Sequence, residues 1–401
     1  MIDTREELIG ALHQAAEIEH GLMIQYLFPA LSLKKNHDEG LTAAELALTR
    51  SWEGIILGVA VEEMGHLGTV CNLLASIGDG PRFERPNFPQ TVGYYPFPFD
   101  LVPFGDDALY RMLIFELPRG EPPPAPPHST VPDDFALGAE IDVGPDPLTY
   151  DYVGELYDKI RHGFTAISDN ELFIGDPAAQ VGDTWSVRLD LRPVRDRGTA
   201  LAAIDDIIED GEGAPADRTT SHYGRFLGIR TAYAESGYFE ASRSVVRNPR
   251  TRASHPDATG PGSLITHGIA CEVAELFNEV YATALLVLQQ FFAFGGETTE
   301  QREALKAAAG HLMSTGIRPI AEVLTNLPAY AEGGEDRAGP PFEQYNAVSL
   351  SPFILARWTV LLERLDACAS AATALGSEVD RLTQIGETLS YIRRNLALVA
   401  P

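Results

Sequence analysis

The sequence predicts an all-α fold made of two sets of four helices, interrupted by one irregular segment. Apolar residues recur at spacings of three and four through most of the chain, and no strand-like alternation lasts beyond a few residues. With 401 residues and 45% hydrophobic content, the chain can bury a large core as two helical layers or two domains.

The first two helices have local start and stop signals. The first is predicted over residues 4–34, with Thr4 as its N-cap, and the second over residues 42–77. Thr42 and Glu45 form a capping box at the start of the second helix, and Gly78 is a natural stop after it. A helix of this length is typical of a helical bundle.

The segment at residues 79–147 has a different composition. Prolines alternate with aromatic residues and a proline run follows, so only a short helix near residues 107–115 is predicted. Structured insertions of this length usually either cover a site or serve as packing, and both roles are left open here.

The remaining helices complete the two sets. They are predicted over residues 148–172, 198–210 and 221–235 and, after a polar loop at 242–262, over 264–294, 301–327 with a kink at Pro319, 351–374 and 378–398. We therefore divide the chain into an N-terminal bundle, residues 1–240, with the insertion at 79–147, and a C-terminal helical bundle, residues 260–401, that packs on the first.

Composition excludes several function classes. The 30 basic and 57 acidic residues give a net charge of -27, which repels nucleic acid and anionic lipid. The three cysteines form no CxxC pattern, which argues against a disulfide framework and a cysteine-based metal site. No run of 18 apolar residues predicts a membrane span, and the acidic N-terminus does not resemble a signal peptide. A cytoplasmic protein that acts on small molecules is expected.

The strongest chemical signal is the run Glu63-Met64-Gly65-His66. A glutamate and a histidine three residues apart on a helix point the same way, so both can bind one metal ion. The pair lies inside the apolar stripe of the second helix, where an unpaired carboxylate would be costly. A metal ion is the predicted partner; a core histidine hydrogen-bonded to a buried acid is the alternative interpretation.

Glu19 supports the same interpretation on the first helix. It interrupts an apolar face that also carries Tyr26 two turns later, so two antiparallel helices each bring a carboxylate to their contact. A second pair at this spacing, Glu17 and His20, lies on a less apolar face and is predicted to be solvated.

A di-metal site needs two more helices, and here the pattern is weaker. Glu155 is the candidate on the third helix, although its angular position favours a surface acid. The fourth helix has no Glu-x-x-His; it offers Glu209 and Glu212 and, after a loop, His222, which the pattern predicts to be partly buried.

The order and spacing of seven short motifs resemble a known family over about residues 1–235. Glu19, Tyr26 and the Glu63–His66 run resemble the first helical pair of ferritins, bacterioferritins and related di-iron proteins. A closer resemblance is to the ferritin-like domain of iminophenylpyruvate dimer synthases, which couple indole imine precursors in violacein, rebeccamycin and staurosporine pathways. The matching stretches are Glu17-Ile18-Glu19-His20, Glu62-Glu63-Met64-Gly65-His66-Leu67, Phe88-Pro89 with Tyr95-Pro96, Phe115-Glu116-Leu117-Pro118, Gly154-Glu155-Leu156-Tyr157, Gly211-Glu212-Gly213, and Ser221-His222-Tyr223 with Phe226.

The resemblance implies a ferritin-like four-helix bundle with a long Pro/aromatic-rich insertion and an additional C-terminal helical layer. It also implies a bacterioferritin-type centre with six metal ligands: Glu19, Glu63, His66, Glu155, Glu212 and His222. Glu212 and His222 are not three residues apart, so both a centre with one metal ion and a centre with two remain compatible with the sequence. Glu209 is the replacement ligand if Glu212 is solvated.

Carboxylates with two imidazoles suit iron, expected here as two ions, or manganese better than zinc. Tyr26 is predicted as the catalytic residue, donating an electron or a hydrogen bond at the metals; a packing tyrosine is the alternative. The main hypothesis is a di-iron oxidase or oxygenase of specialised metabolism that uses O2 and an amino-acid-derived or aromatic small molecule. The alternatives are a metal-storage or peroxide-scavenging protein and a non-catalytic scaffold. A homodimer and a pathway partner enzyme or reductant are allowed for, and no nucleic acid or membrane partner is expected.

Overall fold

Helices dominate the computed structural model, and the prediction of an all-α fold is confirmed. The structure describes residues 2–118, 120–127, 153–182, 189, 191–209, 211, 219–254, 258, 260–293, 295–345 and 350–401. The α-helices are α1 (Arg5–Ser32), α2 (Ala43–Ser76), α3 (Asp106–Phe115), α4 (Val153–Ala166), α5 (Asp169–Leu172), α6 (Arg197–Ile208), α7 (His222–Glu235), α8 (Gly268–Phe292), α9 (Thr299–His311), α10 (Arg318–Leu324), α11 (Ile354–Leu375) and α12 (Asp380–Val399). Two short strands, β1 (Pro249–Arg250) and β2 (Ser263–Leu264), pair in parallel.

Both long N-terminal helices begin where their capping signals lie. The Thr4 and Thr42 side chains accept hydrogen bonds from the backbone N–H groups of Glu7 and Glu45. In return, each glutamate carboxylate accepts a hydrogen bond from the backbone N–H of its threonine. These bonds satisfy N–H groups that the first helical turn would otherwise leave without partners. Helices α1 and α2 then pack along each other, and this pair is the frame of the N-terminal half.

The other helices pack on this frame in two groups. Helix α4 contacts α1 and α6, while α3 contacts α7. In the C-terminal half, α8 packs on α9 and α11, and α11 pairs with α12. Helix α10 contacts both α1 and α8, and a single hydrophobic cluster extends through both halves of the described chain. The domain division near residues 240–260 stays a prediction.

The predicted helix at 301–327 differs from the structure. In place of one kinked helix, a π-helical segment at Leu312–Ile317 separates α9 from α10. Pro319 has no N–H, and its ring would clash with the carbonyl four residues earlier, so a regular α-helix cannot run through it. The wider π-helical turn accommodates this break just before the proline.

The irregular segment packs through aromatic rings. Phe115, the last residue of α3, lies 5.0–5.5 Å from the ring centroids of Tyr95, Phe97 and Phe99. These rings fix the C-terminal end of α3 against the extended chain before it. The described part of the insertion is therefore packed into the core; residues 119 and 128–147 lie outside the described residues.

Helix α2 is long and apolar enough to cross a membrane, because an 18-residue window in it has a mean hydropathy of 1.3. In the structure 56% of that window is buried inside the protein. The helix also carries Glu63 and His66, both buried against neighbouring helices. We therefore interpret α2 as a core helix of the bundle.

The chain passes very close to the end of α2 at Gly175. A Cβ atom at Gly175 would lie 1.6 Å from the carbonyl oxygen of Ala75. We expect Gly175→Ala to lower the free energy of unfolding by about 3 kcal/mol or more, because backbone must shift. Gly10 in α1 is exposed with no atom within 4 Å, so Gly10→Ala should instead add about 0.5–1 kcal/mol. Denaturant unfolding followed by circular dichroism compares the two, and equal stabilities would contradict this packing.

Candidate metal centre

Helices α1 and α2 bring three predicted ligands together. Glu19, Glu63 and His66 are 2%, 2% and 7% exposed. The His66 Nδ1 atom lies 3.1 Å from Glu63 Oε2 and 3.6 Å from Glu19 Oε2. One ligand atom from each residue can therefore contact the same ion.

A second group of candidate ligands comes from the end of α3 and the start of α7, which meet in the same core. Glu116 directly follows α3, and His222 is the first residue of α7, where the Ser221 side chain caps the helix. The His222 Nδ1 atom lies 2.9 Å from Glu63 Oε1 and 3.4 Å from Glu116 Oε2. His222 is fully buried, so these contacts are shielded from solvent.

Glu63 belongs to both groups. Its Oε2 atom faces His66 and its Oε1 atom faces His222, and the two imidazole rings lie 5.7 Å apart with an angle of 27° between their planes. Within the described residues, Glu19, Glu63 and His66 form one cluster suited to a metal ion, and Glu63, Glu116 and His222 form another. This is the arrangement of a carboxylate that bridges two ion positions.

The donor atoms fit a cation. The Nδ1 atom of His222 is buried between two carboxylate oxygens but makes no hydrogen bond to either. The other ring nitrogen, Nε2, bonds to Glu62 Oε2 at 2.9 Å, and Arg225 in turn donates to the same carboxylate. When a cation takes the place of the Nδ1 proton, Nδ1 can bind that cation while Nε2 donates its N–H to Glu62, as in metal-bound histidines.

Electrostatics favour positive charge at this centre. Burial opposes ionisation of Glu63, but the charges of His222 and His66 hold its pKa well below the usual range. Burial also opposes protonation of His222, yet Glu116 and Glu63 raise its pKa well above normal. Burial and the neighbouring Glu63 raise the pKa of Glu19 to about 7, although His66 opposes the shift. Three carboxylates surround two imidazoles, so a cation would relieve their repulsion.

Two tyrosines hydrogen-bond to Glu19 and Glu116, the two carboxylates that belong to only one cluster each. The Tyr26 hydroxyl donates to Glu116 Oε1, and the Tyr157 hydroxyl on α4 donates to Glu19 Oε1. Burial and the Glu116 charge raise the pKa of Tyr26 well above its usual value, so the phenol keeps its proton. Tyr26 therefore lies beside the centre, as the sequence predicts, and its catalytic role stays a prediction.

Glu155, another predicted ligand, lies outside both clusters. Glu155 is half-buried on α4 and belongs to neither metal-capable cluster; its charge is felt by Tyr94. Tyr157, two residues later and thus on the opposite face of α4, points to the centre instead. Glu116, which was not predicted as a ligand, belongs to the metal-capable cluster with His222. Glu155 as a ligand stays a prediction.

Glu212 lies outside the described residues. Its neighbour Gly211 lines the central cavity, and a Cβ atom there would lie 3.6 Å from Glu116 Oε2. Glu209, the predicted replacement, is exposed and lines a separate outer cavity. Both assignments stay predictions.

The prediction of a solvated Glu17–His20 pair is wrong for His20. His20 is 1% exposed, and its Nε2 atom hydrogen-bonds with the Tyr281 hydroxyl on α8. Tyr281 lies on α8, 261 positions later in the chain, so the local pattern of α1 cannot indicate this contact. Glu17 is half-buried and accepts a hydrogen bond from the Gln90 side chain.

The space between the ligands is small. The central cavity has a volume of about 20 Å³, and its walls include residues of the insertion, Tyr95 and Phe115. A cavity of this size holds about one water-sized species, and bulky molecules are excluded. The described part of the insertion therefore both packs into the core and covers the centre.

The chain is similar to known proteins over the part that contains the candidate ligands. The family model described as Ferritin-like matches residues 12–231, which include all the ligand candidates. Dichlorochromopyrrolate synthase of Lentzea aerocolonigenes is 26% identical over 398 residues, which cover 85% of this chain and 36% of that protein. The 2-imino-3-(indol-3-yl)propanoate dimerase of Chromobacterium violaceum is 27% identical over 374 residues, covering 85% and 34%.

The chain thus spans about a third of the length of these curated relatives. Among solved structures, a ferritin-like protein from Caulobacter vibrioides aligns with a TM-score of 0.47 and 19% identity, covering 84% of this chain and 99% of that one. The family match and the two relatives confirm the resemblance that the seven motifs indicate.

Proposed function

We propose, from the premise that this chain belongs to the ferritin-like family, that it is a metal-dependent oxidoreductase of specialised metabolism. Its centre would hold two ions, iron in the first place and manganese as the alternative. The observation that carries the proposal is the position of Glu63, whose two oxygens face His66 and His222 separately. A single ion would need only one of these two groups.

The donor set supports iron or manganese. Carboxylates and imidazoles are the ligands of such ions in helical bundles, whereas structural zinc usually takes four ligands rich in nitrogen or sulfur. When bound in such a centre, an iron pair supplies the reduction of O2 that oxidises a neighbouring small molecule. Glu19, Glu63, His66, Glu116 and His222 would hold the ions, together with Glu212 as proposed from the resemblance.

Residues around the ligands have separate tasks. Tyr26 and Tyr157 each fix one carboxylate by donating a hydrogen bond, and Glu62 fixes the orientation of the His222 ring. Aromatic residues of the insertion exclude bulk water, which strengthens the charge interactions inside. The phenol of Tyr26, held protonated beside Glu116, is the group we propose for proton or electron donation.

The relatives support the substrate class. Their names are a dichlorochromopyrrolate synthase and a dimerase of an indole-bearing imino acid. We propose an amino-acid-derived or aromatic small molecule as substrate and a cytoplasmic location. We propose that the activity is the oxidation of one such molecule. A homodimer and a reductant or partner enzyme of the same pathway complete the proposal.

Metal content is the direct test. The protein is loaded anaerobically with Fe(II), its iron is measured by elemental analysis, and it is mixed with O2 in a stopped-flow spectrometer. About two irons per chain and a transient charge-transfer band support the proposal. Iron uptake far above two per chain would favour storage, and absence of both iron and manganese would favour a scaffold.

Glu62 provides a prediction about the support of His222. Glu62→Gln removes the carboxylate that accepts a hydrogen bond from the His222 N–H. The affinity for the metal ion beside His222 should therefore fall about 10–100-fold. Competition with a chelator measures the affinity, and Glu235→Gln, an exposed change on α7, is the control. Unchanged affinity in Glu62→Gln would contradict the assigned role.

A further inference from the structure

An outer cavity adjoins the metal centre. Its volume is about 230 Å³, and it lies between α2 and α6. His66 and Ile207 line both this cavity and the central one, so they form a shared wall. A molecule in the outer cavity would lie next to the His66 side of the centre.

Thr69 presents an unused polar group to this cavity. It follows His66 by three residues on α2, so both side chains lie on one helix face. Thr69 is 8% exposed, lines the outer cavity, and its hydroxyl makes no hydrogen bond to any residue that the structure describes. The Thr69 hydroxyl is therefore open to the cavity, where it can donate or accept a hydrogen bond with a bound ligand.

Arg192 places a cation at the same cavity. Its backbone is fixed, because the buried Asn72 side chain donates to the carbonyl oxygens of Arg192 at 3.0 Å and Val181 at 2.7 Å. Gly68 lets this segment approach α2, since a Cβ atom there would lie 2.9 Å from the Leu191 side chain. The guanidinium is 58% exposed and makes a long contact of 3.5 Å with Asp206.

Glu209 supplies the opposite charge. It is exposed at the C-terminal end of α6, and no ion pair of its carboxylate is found among the described residues. Glu62 and Asp206 are the other two acids of the cavity wall. Glu62 is paired with His222 and Arg225, and Asp206 lies 3.5 Å from Arg192. Ala203 and Ile207 add an apolar wall to this set of charges.

We propose that the outer cavity binds a zwitterionic α-amino acid as the substrate of the metal centre. Arg192 takes the carboxylate, Glu209 takes the ammonium group and Thr69 adds a hydrogen bond, while the side chain lies on Ala203 and Ile207. A cavity of about 150 Å³ holds benzene, so 230 Å³ accommodates an amino acid with a ring-sized side chain. The inference rests on the proposed function, because it takes the centre as the place where this ligand reacts.

Binding of three probes tests the assignment of each charge. L-phenylalanine carries both groups, phenethylamine lacks the carboxylate, and 3-phenylpropanoate lacks the amine. We expect the full chain to bind phenylalanine about tenfold or more tightly than either analogue in calorimetric titrations, because each charge-assisted hydrogen bond contributes this much. Absence of phenylalanine binding, or equal binding of all three probes, would overturn the proposal.

Two variants separate the contacts. Arg192→Gln should weaken phenylalanine binding about tenfold and leave phenethylamine binding unchanged, while Glu209→Gln should weaken phenylalanine and leave 3-phenylpropanoate unchanged. Arg394→Gln and Glu387→Gln, exposed changes on α12, are matched controls. Variants that weaken all probes equally, or none, would overturn the assignment.

The metal content of the same samples distinguishes the two proposals. Phenylalanine binding in a protein that takes up no metal would support the cavity and contradict the proposed function. About two irons per chain without phenylalanine binding would contradict the cavity and leave the proposed function in place.

Discussion

Replacing Glu63 by alanine is expected to abolish binding of both metal ions. Glu63 supplies one oxygen to each half of the centre, so its loss removes a ligand from two positions at once. We expect the affinity for Fe(II) to fall by more than about 100-fold, above the effect of losing a supporting residue. Elemental analysis after anaerobic loading and gel filtration measures the loss.

Two further variants make this result interpretable. Glu63→Ala leaves the charge of His222 buried beside Glu116, which can itself destabilise the fold, so Glu63→Gln, of nearly equal shape, is measured in parallel. Glu275→Ala, an exposed change on α8, is the control and should keep its metal. Full metal content in Glu63→Ala would contradict the site assignment. Loss of metal in Glu275→Ala would mean that the centre lies in the C-terminal half of the chain.

Glu116 and Glu155 offer the second large effect, because they are alternatives for one position. Glu116 faces His222 and accepts a hydrogen bond from Tyr26, whereas Glu155 belongs to neither metal-capable cluster. Glu116→Gln should therefore cost about 100-fold in metal affinity and halve the metal content at limiting iron, while Glu155→Gln should leave both unchanged. The reverse pattern would restore the ligand set implied by the resemblance.

The long helices could be predicted because their signals are local. The capping boxes at Thr4 and Thr42 place the starts of α1 and α2 within one residue of the structure. The π-helical segment before Pro319 could not be predicted in this way. A proline indicates that the helix is disturbed, but neighbouring helices decide which geometry absorbs the disturbance.

The same contrast holds for the metal centre. Glu19, Glu63 and His66 are recognisable because they interrupt apolar stripes on continuous helices, where a buried charge needs a partner. Glu116 gives no such signal, since it follows a ten-residue helix inside a proline-rich segment and has no histidine at helical spacing. It appears among the seven matching motifs, but only the tertiary fold shows that it faces His222.

Supporting residues are still harder to predict from sequence. Glu62 contacts His222, 160 positions later in the chain, and Tyr157 contacts Glu19 across 138 positions. Nothing in the local sequence pairs them. Glu62 precedes Glu63 on the helix and by periodicity alone would be assigned to solvent, which its partial exposure agrees with.

The shared position of Glu63 also has a consequence for folding. The candidate ligands of the described chain extend from residue 19 to residue 222, so the centre forms only after four distant segments have met. A cation bound there acts as a reversible cross-link between them, comparable to a disulfide that closes long loops. Metal release and the unfolding of the N-terminal half should therefore be one cooperative event, with a melting temperature that rises with the concentration of free metal.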